Sequence, residues 1–213
     1  MSRQLPPPRA FGWAMKPLSS ARTAFRRLPR GSFELTIEHD LIRNVTPRML
    51  AWWFGHIDGT MHYQGREYPR YLVWHPTDHV HWALAQAAPG GGAGVGSHFR
   101  IVEAFGGNPR HWIDSTEQVT KLDATGIRLV RRALGTEVFS LEHWFEADAQ
   151  GTRYRSRMQV GAESPLGQFL LNPLLQRRLF TADMGYAWLR HNVEEVGNFE
   201  FFLPELYAAE AGN

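Results

Sequence analysis

The middle of the chain alternates apolar and polar residues in five runs, at 97–105, 115–122, 126–134, 138–146 and 154–161. Alternation sends successive side chains to opposite faces of an extended strand. Turn-forming residues separate the runs: Gly106-Gly107-Asn108-Pro109, Asp123-Ala124-Thr125-Gly126 and Asp148-Ala149-Gln150-Gly151. Strands this closely spaced pair as an antiparallel meander, which can curl around a cavity. Upstream, residues 32–38 alternate in the same way. Thr46-Pro47 then places an N-cap and a first-turn proline ahead of Met49, Leu50, Trp53, Phe54 and Ile57, which share one helical stripe. Tyr71-Leu72-Val73-Trp74-His75 reads as a further strand, ended by Pro76. Ser164-Pro165 opens a short helix, and after Asn172-Pro173 a long final helix is expected over roughly 174–199. The fold class is α+β, a curved antiparallel sheet wrapped around a long C-terminal helix with an internal cavity.

At 213 residues the chain suits a single domain. Residues 1–30 hold seven Arg or Lys and no acid, so the net charge of +2 leaves −5 for the rest. With Pro6-Pro7-Pro8 and no continuous apolar stretch, this segment reads as a flexible basic arm ahead of a domain at 31–213, with an anchoring or dimer contact as the alternative. Nucleic acid is not expected as a partner, and no apolar run approaches the ~20 residues of a membrane span. Cysteine is absent, which fits a reducing, cytoplasmic setting and leaves His, Asp and Glu as metal-binding types. Residues 88–94 form a glycine-rich loop without the lysine or strand–turn–helix context of a phosphate cradle.

Several polar residues fall on faces that should be apolar. Glu103 follows Phe99 and Ile101 on one parity, and His143 sits among Phe139, Leu141 and Phe145. Tyr154, Ser156, Met158 and Val160 share a face in the next run. A buried carboxylate needs a cation, a donor or a metal beside it. His191 and Glu195, four apart on the last helix, stack one turn from each other, half of a typical zinc site. His75-Pro76-Thr77-Asp78-His79-Val80-His81 packs three imidazoles into seven residues; His79 and His81 share a face if the chain is extended, and Asp78 can orient one ring.

Trp74-His75-Pro76-Thr77-Asp78-His79, Ile101-Val102-Glu103 and His191-Asn192-Val193-Glu194-Glu195-Val196-Gly197 resemble the 2,4-diacetylphloroglucinol hydrolase (PhlG-like) family over roughly residues 44–206. The resemblance implies a Bet v 1-like, helix-grip fold and one Zn2+ held by His79, Glu103, His191 and Glu195, with His75 and His81 as rivals for His79 and Glu194 as the rival for Glu195. It also implies that Tyr71 and His143 act on a small phenolic ketone, that Tyr154 helps to hold it, and that Trp82 makes a substrate contact where the family has an asparagine. The expected activity is hydrolysis of a carbon–carbon bond in an acylated phenol or β-diketone-like compound. A non-catalytic carrier of an apolar ligand and a zinc-free polyketide cyclase or aromatase are the alternatives. Trp74, Trp82, Phe99, Phe139 and Trp144 are available to line an aromatic cavity. A homodimer is open, although the chain has less N-terminal sequence than the family's dimerising portion.

Overall fold

A computed structural model describes residues 5–28, 31–162, 164–174 and 180–211. The strands are β1 (Arg22–Arg27), β2 (Phe33–Glu38), β3 (Ile42–Arg43), β4 (Thr60–Tyr63), β5 (Arg66–Pro69), β6 (His79–Gln86), β7 (His98–Ala104), β8 (Trp112–Asp123), β9 (Gly126–Ala133), β10 (Thr136–Asp148) and β11 (Gly151–Val160). The helices are α1 (Pro47–Gly55), α2 (Arg70–Trp74), α3 (Pro165–Leu170), α4 (Asn172–Leu174) and α5 (Ala182–Ala211). The large sheet runs β1-β2-β11-β10-β9-β8-β7-β6, all antiparallel and not closed, with β3 added beside β11; β4 and β5 form a separate hairpin. All five alternating runs are strands, because each has one face to bury.

Register carries the inner face across the sheet. Glu103 pairs with Ile113, Phe99 with Glu117, His143 with Ser156, and Ser156 with Ile37. Against this face lies α5, whose middle is buried nearly all round, from His191 through Phe199. Two apolar clusters meet it. One joins Phe33, Leu35, Met158 and Val160 to Met184, Trp188 and Val193. The other joins Trp53, Phe54, Tyr71 and Trp74 to Val196, Phe199, Phe202 and Leu203. The polar residues His191, Asn192, Glu194 and Glu195 fall at the seam. Among the described residues, no helix is long and apolar enough to cross a membrane.

Four expectations change. Residues 71–75 are helical through Trp74, not a strand: a short apolar run has no period to separate the two, and here a turn of helix buries Tyr71, Val73 and Trp74 together. Trp74 Nε1 donates to the Glu195 carbonyl at 2.8 Å and Asn198 Nδ2 donates to the Trp74 carbonyl at 2.9 Å, locking this turn to α5. The final helix starts at Ala182 and runs past Phe199 through Pro204 to Ala211; Thr181 Oγ1 accepts from Met184 N at its start, and residues 175–179 of the expected span lie outside the described residues. The described part of the basic arm lies on the domain. Phe11 is buried, Trp13 stacks on Phe201, and β1 pairs along all of β2. Finally, Trp144 is not among the residues that line the cavity and packs under Arg155, since it alternates with the buried His143 and Phe145 on β10.

Gly126 sits at φ 152°, where an added Cβ would lie 2.0 Å from the His143 carbonyl oxygen. Replacing Gly126 with Ala is expected to destabilise the fold by more than about 1 kcal/mol, because the clash is with backbone; a urea midpoint equal to that of the parent protein would contradict this close approach.

Candidate metal centre and cavity

The loop before β6 turns on Asp78. Its carboxylate accepts from Gly106 N at 2.7 Å and Gly107 N at 2.9 Å, from Thr77 Oγ1 at 3.0 Å, and from His191 Nδ1 at 3.0 Å. Both glycines have φ near 60–70°, which aims their N–H groups at one point. Burial opposes the charge on Asp78, but His191, His75 and the Gly106 N–H hold it well below the usual carboxylate range.

His79 opens β6 opposite Glu103, while His81 pairs with Val102, so one extra residue bulges between them. The bulge breaks the alternation: His79 is fully buried and His81 is exposed, and the two do not share a face. His79 Nδ1 bonds the Tyr71 carbonyl at 2.6 Å, and Tyr71 lies flat on the His79 ring with centroids 3.8 Å apart. The Tyr71 hydroxyl donates to Glu103 Oε1.

Four side chains then converge. His79 Nε2 lies 3.5 Å from Glu103 Oε1 and 3.3 Å from Glu195 Oε2. His191 Nε2 lies 3.7 Å from Glu103 Oε2 and 3.6 Å from Glu195 Oε2. His79 Nε2 is buried and has no hydrogen-bond partner among the described residues. Because each ring is tied at Nδ1 to an acceptor, each turns Nε2 to the centre, as metal-binding histidines do. His79, Glu103 and His191 could hold a metal ion, their ligand atoms lying within 4.8 Å of one another. A second group, His75, Asp78 and His191, is equally close, but its atoms are already spent. His75 Nδ1 accepts from Asp78 N at 3.2 Å and its Nε2 faces Glu194 Oε2 at 3.3 Å. Glu194 is held in turn by Arg190 Nε at 2.7 Å and points away from the four-residue centre.

Without a cation these groups are frustrated. Burial pushes Glu195 up to about 8 and raises Glu103, and it pulls His79 well below the ordinary imidazole range. For His191 burial works against the charge, but Glu195, Glu103 and Asp78 outweigh it and carry the ring up to about 10. A bound cation would displace those protons.

Tyr71, Glu103 and Glu195 lie on the wall of a cavity of about 710 Å³ that also receives Trp74, Trp82, Phe99, Phe139 and His143. His143 is buried, its Nδ1 2.9 Å from Ser156 Oγ, and burial lowers it to about 3. Ser156 Oγ also meets His39 Nε2 at 2.8 Å. Tyr154 is not among the residues that line the cavity: it stands behind His143, ring centroids 5.1 Å apart, as the diagonal neighbour two residues along β11 from Ser156, which pairs with His143. Sequence reasoning passed over Glu117, which reaches the same cavity. The alternation Ile113, Ser115, Glu117, Val119 on β8 was the available signal.

An open antiparallel sheet gripping one long helix around a cavity defines a Bet v 1-like protein, here with a buried His/Glu cluster where the cavity meets the helix. Residues 16–208 match the family described as the DAPG hydrolase PhiG domain, and the chain belongs to that hydrolase family. Among solved structures it is similar to the KanY protein (8% identity, TM-score 0.50, covering 90% of this chain and 99% of that one). It is likewise similar to the major latex-like protein 151 of Panax ginseng (11% identity, TM-score 0.50, covering 80% and 96%). At these identities the likeness is one of fold alone. No curated protein sequence is similar enough to count as a match.

Glu117 is 3% exposed, and burial pushes it up from 4.5 to about 7 against the pull of Ser115 and Arg131. A carboxyl raised in the folded state favours folding while protonated, so its contribution is complete below the unfolded value and lost as pH rises through about 7. Unfolding free energy should therefore fall more between pH 4.5 and 7 in the parent protein than in Glu117→Gln; superimposable pH profiles would show that Glu117 titrates normally.

Proposed function

We propose that this protein is a zinc-dependent hydrolase that cleaves a carbon–carbon bond in an acylated phenol, or a related β-diketone-like compound, and releases a carboxylic acid. The reading rests on the convergence of His79, Glu103, His191 and Glu195 at a cavity wall, with His79 Nε2 left bare. A zinc-centred tetrahedron has edges of about 3.3–3.4 Å at the usual zinc–nitrogen and zinc–oxygen distances. The four histidine–carboxylate separations, 3.3 to 3.7 Å, fit that cage and are too long for good hydrogen bonds. The two histidines would hold the ion through Nε2 and the two glutamates through carboxylate oxygens. When bound, zinc supplies a Lewis acid and brings the pKa of a bound water to about 7.

Cleavage of an acyl–ring bond needs water at the acyl carbonyl and a proton on the ring carbon that leaves. Burial, with Glu103 beside it, holds the Tyr71 hydroxyl well above its ordinary pKa, so it keeps its proton and fixes the Glu103 carboxylate. His143, neutral through burial, presents a ring nitrogen to a phenolic oxygen. A proton taken up there from the phenolic oxygen is the one that has to reach the ring carbon, while Ser156 Oγ, bonded in turn to His39 Nε2, holds Nδ1. Tyr154 backs the His143 ring, while Trp82 and Phe99 supply apolar walls that exclude water from the ring.

Elemental analysis of purified protein should find close to one zinc per chain, and His191→Ala should lose it; a variant that keeps its full zinc complement would falsify the ligand set. His143→Ala should retain zinc while acid release from acylphenols drops about a hundredfold or more. Unchanged turnover would remove His143 from the chemistry.

A further inference from the structure

The cavity has a second polar station that the metal cluster does not use. Glu117 pairs with Phe99, four residues along β7 from Glu103, which places the two backbone positions about 13 Å apart on the same inner face. Its carboxylate is bonded by Ser115, yet Oε2 is buried with no partner. A buried acceptor left bare is rare and costly, and this one belongs to a residue on the cavity wall. Continuing the β8–β9 register one step beyond Gln118 and Val130 sets Arg131 opposite Glu117. Arg131 also lines the cavity, and its guanidinium has no hydrogen-bond or ion-pair partner among the described residues. That positive field favours the ionised carboxylate and disfavours a cationic ligand, leaving a neutral hydroxyl as the donor that suits the site.

Resting on the hydrolase reading above, which sets the acyl group at the His/Glu cluster, we propose that Glu117 Oε2 accepts a hydrogen bond from the ring hydroxyl remote from the acyl group. Glu117 is then a specificity-determining residue of the cavity, favouring rings that carry a hydroxyl at that end over rings that lack one. Glu117 and Arg131 act on recognition and take no part in bond breaking.

The test is calorimetric titration of the zinc-loaded full-length protein with phloroacetophenone and with the dihydroxyacetophenone that lacks only the hydroxyl para to the acetyl group. The parent protein should bind the first at least about tenfold more tightly, the effect of giving a partner to one bare buried acceptor. Glu117→Leu should bring the ratio close to one by weakening the trihydroxy ligand alone, with zinc content unchanged. Glu117→Gln, which keeps an acceptor oxygen in nearly the same volume, should retain part of the preference. An unchanged ratio in Glu117→Leu, or no preference in the parent protein, overturns the assignment. Acid release is not part of this readout: a protein that discriminates the two ketones but cleaves neither keeps the Glu117 site and loses the hydrolase reading, and one that cleaves both while failing to discriminate does the reverse.

Discussion

The Asp78 carboxylate ties together the parts that make the centre. Through Gly106 and Gly107 it fixes the turn that follows β7, and through His191 Nδ1 it fixes a ring on α5. The Asp78 carbonyl also accepts from Ala104 N at 2.9 Å. One side chain with no exposure to speak of therefore registers the β6–β7 edge against the long helix. The same bond that orients His191 also leaves its Nε2 as the atom facing Glu103 and Glu195. Charge-assisted bonds of this kind are stronger than neutral ones, and buried networks that are fully satisfied specify one arrangement rather than several.

Around that anchor the molecule is organised as two apolar clusters with a polar seam between them. The seam runs counter to stability, since burying ionisable groups is costly unless they are paired. The cost is localised where α5 is gripped from all sides, and the flanking aromatic packing of Trp53, Trp74, Phe199 and Phe202 holds the helix in place regardless of what the seam contains. A site of this design is preorganised: its histidines are positioned by the Tyr71 carbonyl and the Asp78 carboxylate, and its glutamates by the Tyr71 hydroxyl and the Asn192 amide, rather than by one another.

Much of this was legible in the chain. Alternation located the strands from β7 to β11 and put Glu103, His143 and Ser156 on the inner face, because one buried face forces a period of two. The i, i+4 spacing of His191 and Glu195 set them side by side on the helix. What failed did so for definite reasons. The apolar stretch at Tyr71 carries no period, so only its packing on α5 could make it helical. The bulge after His79 is a property of two strands in register, and neither strand alone announces it. Phe11 and Trp13 looked like part of a loose basic arm because their partners, Tyr63 and Phe201, are far away in sequence. Glu117 was readable by parity but sat among polar neighbours that hid it.

The N-terminal segment gives the centre an outer brace. Arg9 Nη2 donates to the carbonyls of His75 and His79 at 3.2 and 2.9 Å, and Lys16 covers the face of α5 at Gly197 while pairing with Glu200 at 2.7 Å. The residues that steady the His75–His79 loop from behind thus belong to a part of the chain whose described residues do not line the cavity. Sequence drift in such a segment can adjust how firmly the loop is held without altering a single group that faces the cavity. The firmness of that loop and the lining of the cavity are, in this architecture, separately adjustable quantities.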